Sequence, residues 1–176
     1  AAGTSPAAAA GAHLAASIMS TYPGLWPETV RALIVQSARW TPAMERVINA
    51  QPIKAQKARM IRRYGMGVPD RLRATRSASD SLTLIVQGEM KPYLSNGRLR
   101  EMHTYPLPWP IADLTALGSA PVSMRVTLSY FVEPNPSRRG WNGRYSYASH
   151  GFRFDVRRAT ESSAEMHARL NKQAVQ

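Results

Sequence analysis

Residues 7–19, Ala-Ala-Ala-Ala-Gly-Ala-His-Leu-Ala-Ala-Ser-Ile-Met, constrain this chain more than any other stretch. Alanine is the strongest helix former, and the run predicts a helix over about 5–21 that is small on nearly every face. A helix of that kind is expected to be buried all round; part of that cover would be absent from this chain, so exposed apolar surface or a partner chain is implied. Immediately before it stands Gly3-Thr4-Ser5-Pro6-Ala7, a small-residue loop that delivers a serine to the helix N-terminus. Two readings of that serine are open. Ser5 is a good N-cap with Pro6 at the first helical position. It also stands where the helix dipole and unpaired backbone N–H groups favour negative charge developing beside a serine oxygen.

The match to a larger pattern shifts the balance toward the second. After the serine come small residues to Ala16, then Ile18-Met19-Ser20-Thr21-Tyr22-Pro23, then Glu28-Thr29-Val30-Arg31-Ala32-Leu33 leading to Ser37-Ala38. A further block, Tyr64-Gly65-Met66-Gly67-Val68-Pro69-Asp70, follows in the same order along the chain. Together these stretches resemble the nucleophile helix, the following helix and the Tyr-Gly-x-Gly turn of the subtilisin-like serine peptidases. The resemblance implies that residues 1–78 are the C-terminal part of an α/β subtilisin-like catalytic domain, mostly its helices. It makes Ser5 the acyl-forming nucleophile and the Ser5 backbone N–H one oxyanion-hole donor, with Gly3, Thr4 and Ala7 as the rest of the nucleophile-loop motif.

In that family the triad runs Asp, His, Ser along the chain. The resemblance therefore implies that the Asp and His partners, and the oxyanion Asn, precede residue 1. This chain would supply only the nucleophile part of a serine endopeptidase and be inactive alone, its partners being a polypeptide substrate and the rest of the catalytic domain. Three positions depart from the usual pattern. Pro6 stands where Met or a similar residue is common, Ala9 where proline is usual, and His13 where glycine is usual.

The chain's own histidines do not supply a base. His13 is eight residues past Ser5, about 12 Å further along one helix axis. His103, His150 and His167 lie far downstream, and a Ser, Asp, His order would suit an α/β-hydrolase. That arrangement wants glycine two residues after the serine, and Ala7 stands there.

Composition excludes other classes. Zero cysteine removes disulfide frameworks and thiolate-bound metal, and four scattered histidines give no zinc spacing, so no metal or cofactor is expected. No apolar run reaches the roughly eighteen residues that span a bilayer, and 7–19 lacks the basic flank of a signal peptide. No segment chooses a compartment.

The charge points elsewhere. The formal net charge is +12 and the pI about 10.9, values that suit a polyanion binder. Between Arg39 and Arg76, ten basic residues face only Glu45 and Asp70. Lys54, Lys57, Arg59, Arg62 and Arg63 form a basic helix with Ile53, Met60 and Ile61 interleaved. The bland reading is a solvated face, or one paired with acidic residues of the catalytic part. The competing function is a non-catalytic interaction module whose basic surface holds nucleic acid or an acidic protein. No recognised nucleic-acid-binding motif accompanies the charge, so nucleic acid is not the expected partner.

Punctuation fixes the remaining helices. Pro23-Gly24 ends the first, Pro27 opens a second with Val30, Leu33 and Ile34 at core spacing, and Thr41-Pro42 starts a third. Pro52 precedes the basic helix 54–64, and Pro69-Asp70 begins a short helix to about 76. From residue 79 the pattern turns to period two. Val122, Met124, Val126, Leu128, Tyr130 and Val132 alternate with polar residues, residues 82–86 are rich in β-branched types, and Phe152, Phe154 and Val156 alternate likewise. Residues 102–107 could add a strand, and 111–117 a short helix. The expectation for 79–176 is a β-sandwich or jelly-roll-like domain ending in a helix over 162–174 capped by Ser162 or Ser163. The long loop 133–150 carries Trp141, Arg144 and Tyr145, which suit either peptide recognition or closure of a sandwich end.

Overall fold

The computed structural model describes residues 3–76, 82–91, 93–94, 96, 102–131, 152, 154–158 and 160–174. Seven helices follow one another among them: α1 Thr4–Thr21, α2 Pro27–Ser37, α3 Pro42–Asn49, α4 Lys54–Tyr64, α5 Arg71–Arg76, α6 Ile111–Ala116 and α7 Ser163–Ala174. The chain divides into two compact units, Ala1–Glu133 and Pro134–Gln176.

In the first unit α1, α2 and α5 pack on one another, while α3 packs with α4. The core is small. Leu14 and Ile18 from α1 meet Val30 and Leu33 from α2 and Ala74 from α5, with Tyr22, Leu25, Ile34 and Ile85 packed around them. The spacing explains this: Leu14 and Ile18 are four apart, and Val30, Leu33, Ile34 and Ser37 lie on one stripe of α2. Tyr22 closes the α1 end of the core by donating its hydroxyl to the Thr75 carbonyl on α5. Prolines start α2 and α3 in the first turn, and the Thr41 hydroxyl accepts the Met44 N–H at 3.3 Å as the α3 cap.

α1 is buried only in part, and its first half is the exposed small-residue surface implied by the sequence. Leu14 and Ile18 are its only buried residues, and residues 4–13 are exposed. The packing partners reach only the second half of the helix, where the large side chains are.

The turn after α4 is docked onto the end of α2. Arg39 and Val68 form an isolated antiparallel bridge, and Trp40 Nε1 donates to the Gly65 carbonyl at 3.0 Å. Gly67, with φ 99°, lets the backbones approach: a Cβ there would stand 2.2 Å from the Arg39 carbonyl oxygen. Buried Ser37 completes the junction, its hydroxyl donating to the Ile34 carbonyl at 2.8 Å and accepting the Asp70 N–H at 3.2 Å.

The β-sandwich or jelly-roll expectation for 79–176 is overturned. The described residues contain no strand; 82–91, 102–110 and 121–131 run without regular secondary structure, as do 154–158. The alternation at 122–131 is present, but its faces are used the other way round. Its polar members grip α2: Arg125 donates to the Gln36 and Ala38 carbonyls, Thr127 bonds Gln36 Oε1, and Ser129 accepts from Arg31 Nε at 2.9 Å. Its apolar members Val122, Met124, Val126 and Leu128 are 42–59% exposed. Period-two patterning makes a strand only where a neighbouring backbone offers a ladder, and here side chains from a helix hold the segment instead. Val132 and the loop with Trp141, Arg144 and Tyr145 lie outside the described residues.

The second unit is organised by α7. Ser162 and Glu165 form a reciprocal capping box: the Ser162 hydroxyl accepts the Glu165 N–H at 3.2 Å, and Glu165 Oε2 accepts the Ser162 N–H at 2.7 Å. Arg169, a turn further on, reaches Glu161 through Nε at 2.7 Å and Asp155 through NH1 at 2.6 Å.

Candidate active site

The serine of the Gly-Thr-Ser loop is inside the helix, not in front of it. Gly3 is the cap, in extended conformation, and makes no side-chain cap bond; α1 starts at Thr4. Ser5 is therefore the second helical residue and Pro6 the third, so the capping role open from the sequence falls to Gly3. A Cβ on Gly3 would lie 3.4 Å from Pro6 Cδ, so the turn is close but not forced.

This position leaves the serine chemically open. Gly3, Thr4, Ser5 and Ala7 are all exposed. Among the described residues the Ser5 hydroxyl and backbone N–H make no hydrogen bond. A first-turn N–H has no intrahelical acceptor, and Pro6 contributes none at all, so the free donors here are the N–H groups of Gly3, Thr4 and Ser5. No acidic residue stands in the first turn of α1 to compete for them. An oxygen that gains negative charge beside Ser5 would meet these donors and the positive end of an 18-residue helix.

The base is not in place beside it. His13 lies two turns along α1 and lines an open hollow of about 440 Å³ with Ala16, Ser17, Ser20, Thr21, Arg71 and Thr75. The hydroxyls of Ser17, Thr21 and Thr75 are turned back onto carbonyls four residues earlier in their own helices, so the hollow does not present them as donors. His103 Nδ1 is 3.1 Å from the Tyr105 hydroxyl, His167 belongs to the second unit, and His150 lies outside the described residues. Among the described residues no group of three or more His, Cys, Asp or Glu side chains could hold a metal ion, and no helix is long and apolar enough to cross a membrane.

The basic helix is as open as the sequence suggests. Lys54, Lys57, Arg59, Arg62 and Arg63 of α4 are exposed, and none pairs with a carboxylate among the described residues. Arg63 instead lies over the Tyr64 ring, 5.9 Å from its centre. The sequence reading missed a second basic feature, the approach of Arg39, Arg73 and Arg125 to the end of α2. No local signal could have shown it, because the three residues are far apart in the chain.

No curated protein and no solved structure matches the chain. Residues 1–67 match the model of the Subtilase family, a stretch that contains the exposed serine, helices α1 to α4 and the glycine turn. That match supports a subtilisin-like serine peptidase at the level of the family.

Proposed function

We propose that the chain is the nucleophile-bearing part of a serine endopeptidase, residues 1–78 being the C-terminal part of its catalytic domain. Ser5 Oγ attacks a peptide carbonyl and gives its proton to the His partner, while the Ser5 N–H donates to the oxyanion. The C–N bond breaks as the amine leaves with that proton, and water hydrolyses the acyl-enzyme to the acid and free Ser5. The observation that carries this reading is the coincidence of the family match with an exposed, unbonded serine in the first turn of α1. A serine without a neighbouring base is a poor nucleophile at neutral pH. In this reading the His and Asp partners and the oxyanion Asn come from polypeptide outside these 176 residues, and the chain alone is inactive.

The test is fluorophosphonate labelling of the parent enzyme, its Ser5→Ala variant and the 176-residue chain. Labelling of the wild-type parent alone supports the proposal. A folded parent that takes no label removes it, and labelling of the isolated chain removes the need for outside partners.

The second reading is an interaction module, supported by the α4 basic face without carboxylate partners among the described residues. It requires polyanion binding that falls steeply with salt and is lost when Lys57 and Arg62 are replaced by Gln.

A further inference from the structure

The carboxyl end of α2 collects three guanidinium groups from three separate parts of the first unit. Arg39 NH1 donates to the carbonyls of Gln36 and Ala38, both at 3.0 Å. Arg125 NH1 donates to the same two oxygens, at 3.0 and 2.6 Å. Arg73 Nε donates to the carbonyl between them in sequence, that of Ser37, at 3.1 Å. Two nitrogens bonded to one oxygen lie within about 6 Å of each other, so the Arg39 and Arg125 heads are neighbours.

Such an arrangement is under-compensated. Last-turn carbonyls welcome one cation, with roughly half an elementary charge to offer. Three guanidiniums gather here; Arg73 has Asp70 at 3.8 Å, whereas Arg39 and Arg125 share the same two carbonyl oxygens. Partial burial, followed by the charges of Arg125 and Arg73, pushes the Arg39 pKa down. No carboxylate among the described residues pairs with Arg39 or Arg125.

The heads are also held in position. The side-chain amide of Gln36 donates to the Arg125 carbonyl at 3.2 Å and accepts from Thr127, which fixes the backbone that carries Arg125. The bridge between Arg39 and Val68 fixes the backbone of Arg39. Each of these two arginines uses only NH1 on the helix end. Nε and NH2 of both have no acceptor among the described residues, and that edge is the one with which arginine binds an oxyanion through two parallel bonds.

We infer that Arg39 and Arg125, with Arg73 beside them, form a binding site for an oxyanion, either a phosphate group or a carboxylate. The anion bridges the free edges of the two guanidiniums and relieves the repulsion between them. This site is independent of the Ser5 chemistry, since it uses other residues at the opposite end of another helix.

The test titrates the 176-residue chain with inorganic phosphate and, separately, with acetate, at constant ionic strength set by chloride. Side-chain N–H resonances of Arg39 and Arg125 report binding directly, and the thermal midpoint reports it globally. Saturable movement of both resonances with phosphate alone identifies a phosphate site, and movement with both anions identifies a carboxylate site as well. Arg125→Gln should weaken the binding about tenfold or more, the loss of a charged bidentate contact. Arg39→Lys keeps the charge but lacks the fork, and should weaken it less. Arg46→Gln, an exposed charge on α3, should leave it unchanged. Resonances that do not move in the wild-type chain overturn the inference, whatever the variants do. An equal loss in the Arg46 variant also overturns it, because general charge attraction would then suffice.

Discussion

Arg39 and Val68 exchange both of their backbone hydrogen bonds, the Arg39 N–H to the Val68 oxygen at 3.0 Å and the Val68 N–H to the Arg39 oxygen at 2.8 Å. This pair fastens the glycine turn after α4 to the end of α2, and Gly67 makes the approach possible. A side chain at 67 would meet the Arg39 backbone at 2.2 Å in a conformation with φ 99°. Gly67→Ala should therefore destabilise the first unit by at least about 2 kcal/mol, since strain and overlap act together. Gly11, inside α1 with nothing within 4 Å of an added Cβ, should behave oppositely. Gly11→Ala should stabilise by about 0.5–1 kcal/mol. Urea denaturation followed by circular dichroism separates the two, and equal midpoints would refute the close approach.

Ile18 carries the centre of the small core. It is fully buried, and it faces α2 and α5 together with Leu14. Ile18→Ala should cost about 2–5 kcal/mol, through lost burial and the cavity left behind. Met19, its neighbour on the exposed side at 54%, should tolerate alanine with a change within about 0.5 kcal/mol. Similar losses at the two positions would contradict the packing of α1 on α2.

The helices were legible because their ends are marked by residues with a physical reason to be there. Pro27 and Pro42 start α2 and α3, the Thr41 hydroxyl caps one of them, and Ser162 with Glu165 boxes the start of α7. Val30, Leu33 and Ile34 declared the core stripe by spacing alone. The strands were misread because alternation records residue types and says nothing of what lies beside them. At 122–131 the polar alternates Arg125, Thr127 and Ser129 find Gln36, Ala38 and Arg31, and no ladder forms. For the site, the place of Ser5 at the helix start was legible to within two residues, with Gly3 taking the cap. The arginines at 39, 73 and 125 were not, since only tertiary folding brings them together.

Gln87 ties the irregular segment 82–91 to the start of α2. Its Oε1 accepts the Trp26 N–H at 2.7 Å and the Thr29 hydroxyl at 2.6 Å, doing for this helix what a capping side chain does elsewhere. Gln87→Met keeps the size and removes both acceptors. The loss should be about 1–2 kcal/mol, the range for two modest bonds of which one donor can turn to water. Hydrogen exchange at Trp26 should accelerate while exchange at Leu33 follows global stability. Unchanged protection at Trp26 would rule out the capping role.

Arg169 predicts an acid-dependent loosening of the second unit. Its guanidinium bonds Glu161 and Asp155, and both carboxyls are held below their ordinary values mainly by that contact. For Glu161 the pKa falls from 4.5 to about 2. A carboxyl depressed in the folded state stabilises it above the unfolded pKa, and that stabilisation drains away as pH falls through the folded value. The contribution should therefore be complete above about pH 4.5 and vanish toward pH 2. Arg169→Gln removes the cause of the shift, so the stability difference between wild type and variant should be constant at neutral pH and shrink to nothing over this window. Chemical shifts of the Glu161 and Asp155 carboxyl carbons, followed from pH 7 to pH 2, check the assignment. In wild type both should titrate late, and in Arg169→Gln they should move up toward ordinary carboxylate values. A stability difference that persists unchanged at pH 2 would mean that Arg169 acts through packing of its stem on α7 and not through the two carboxylates.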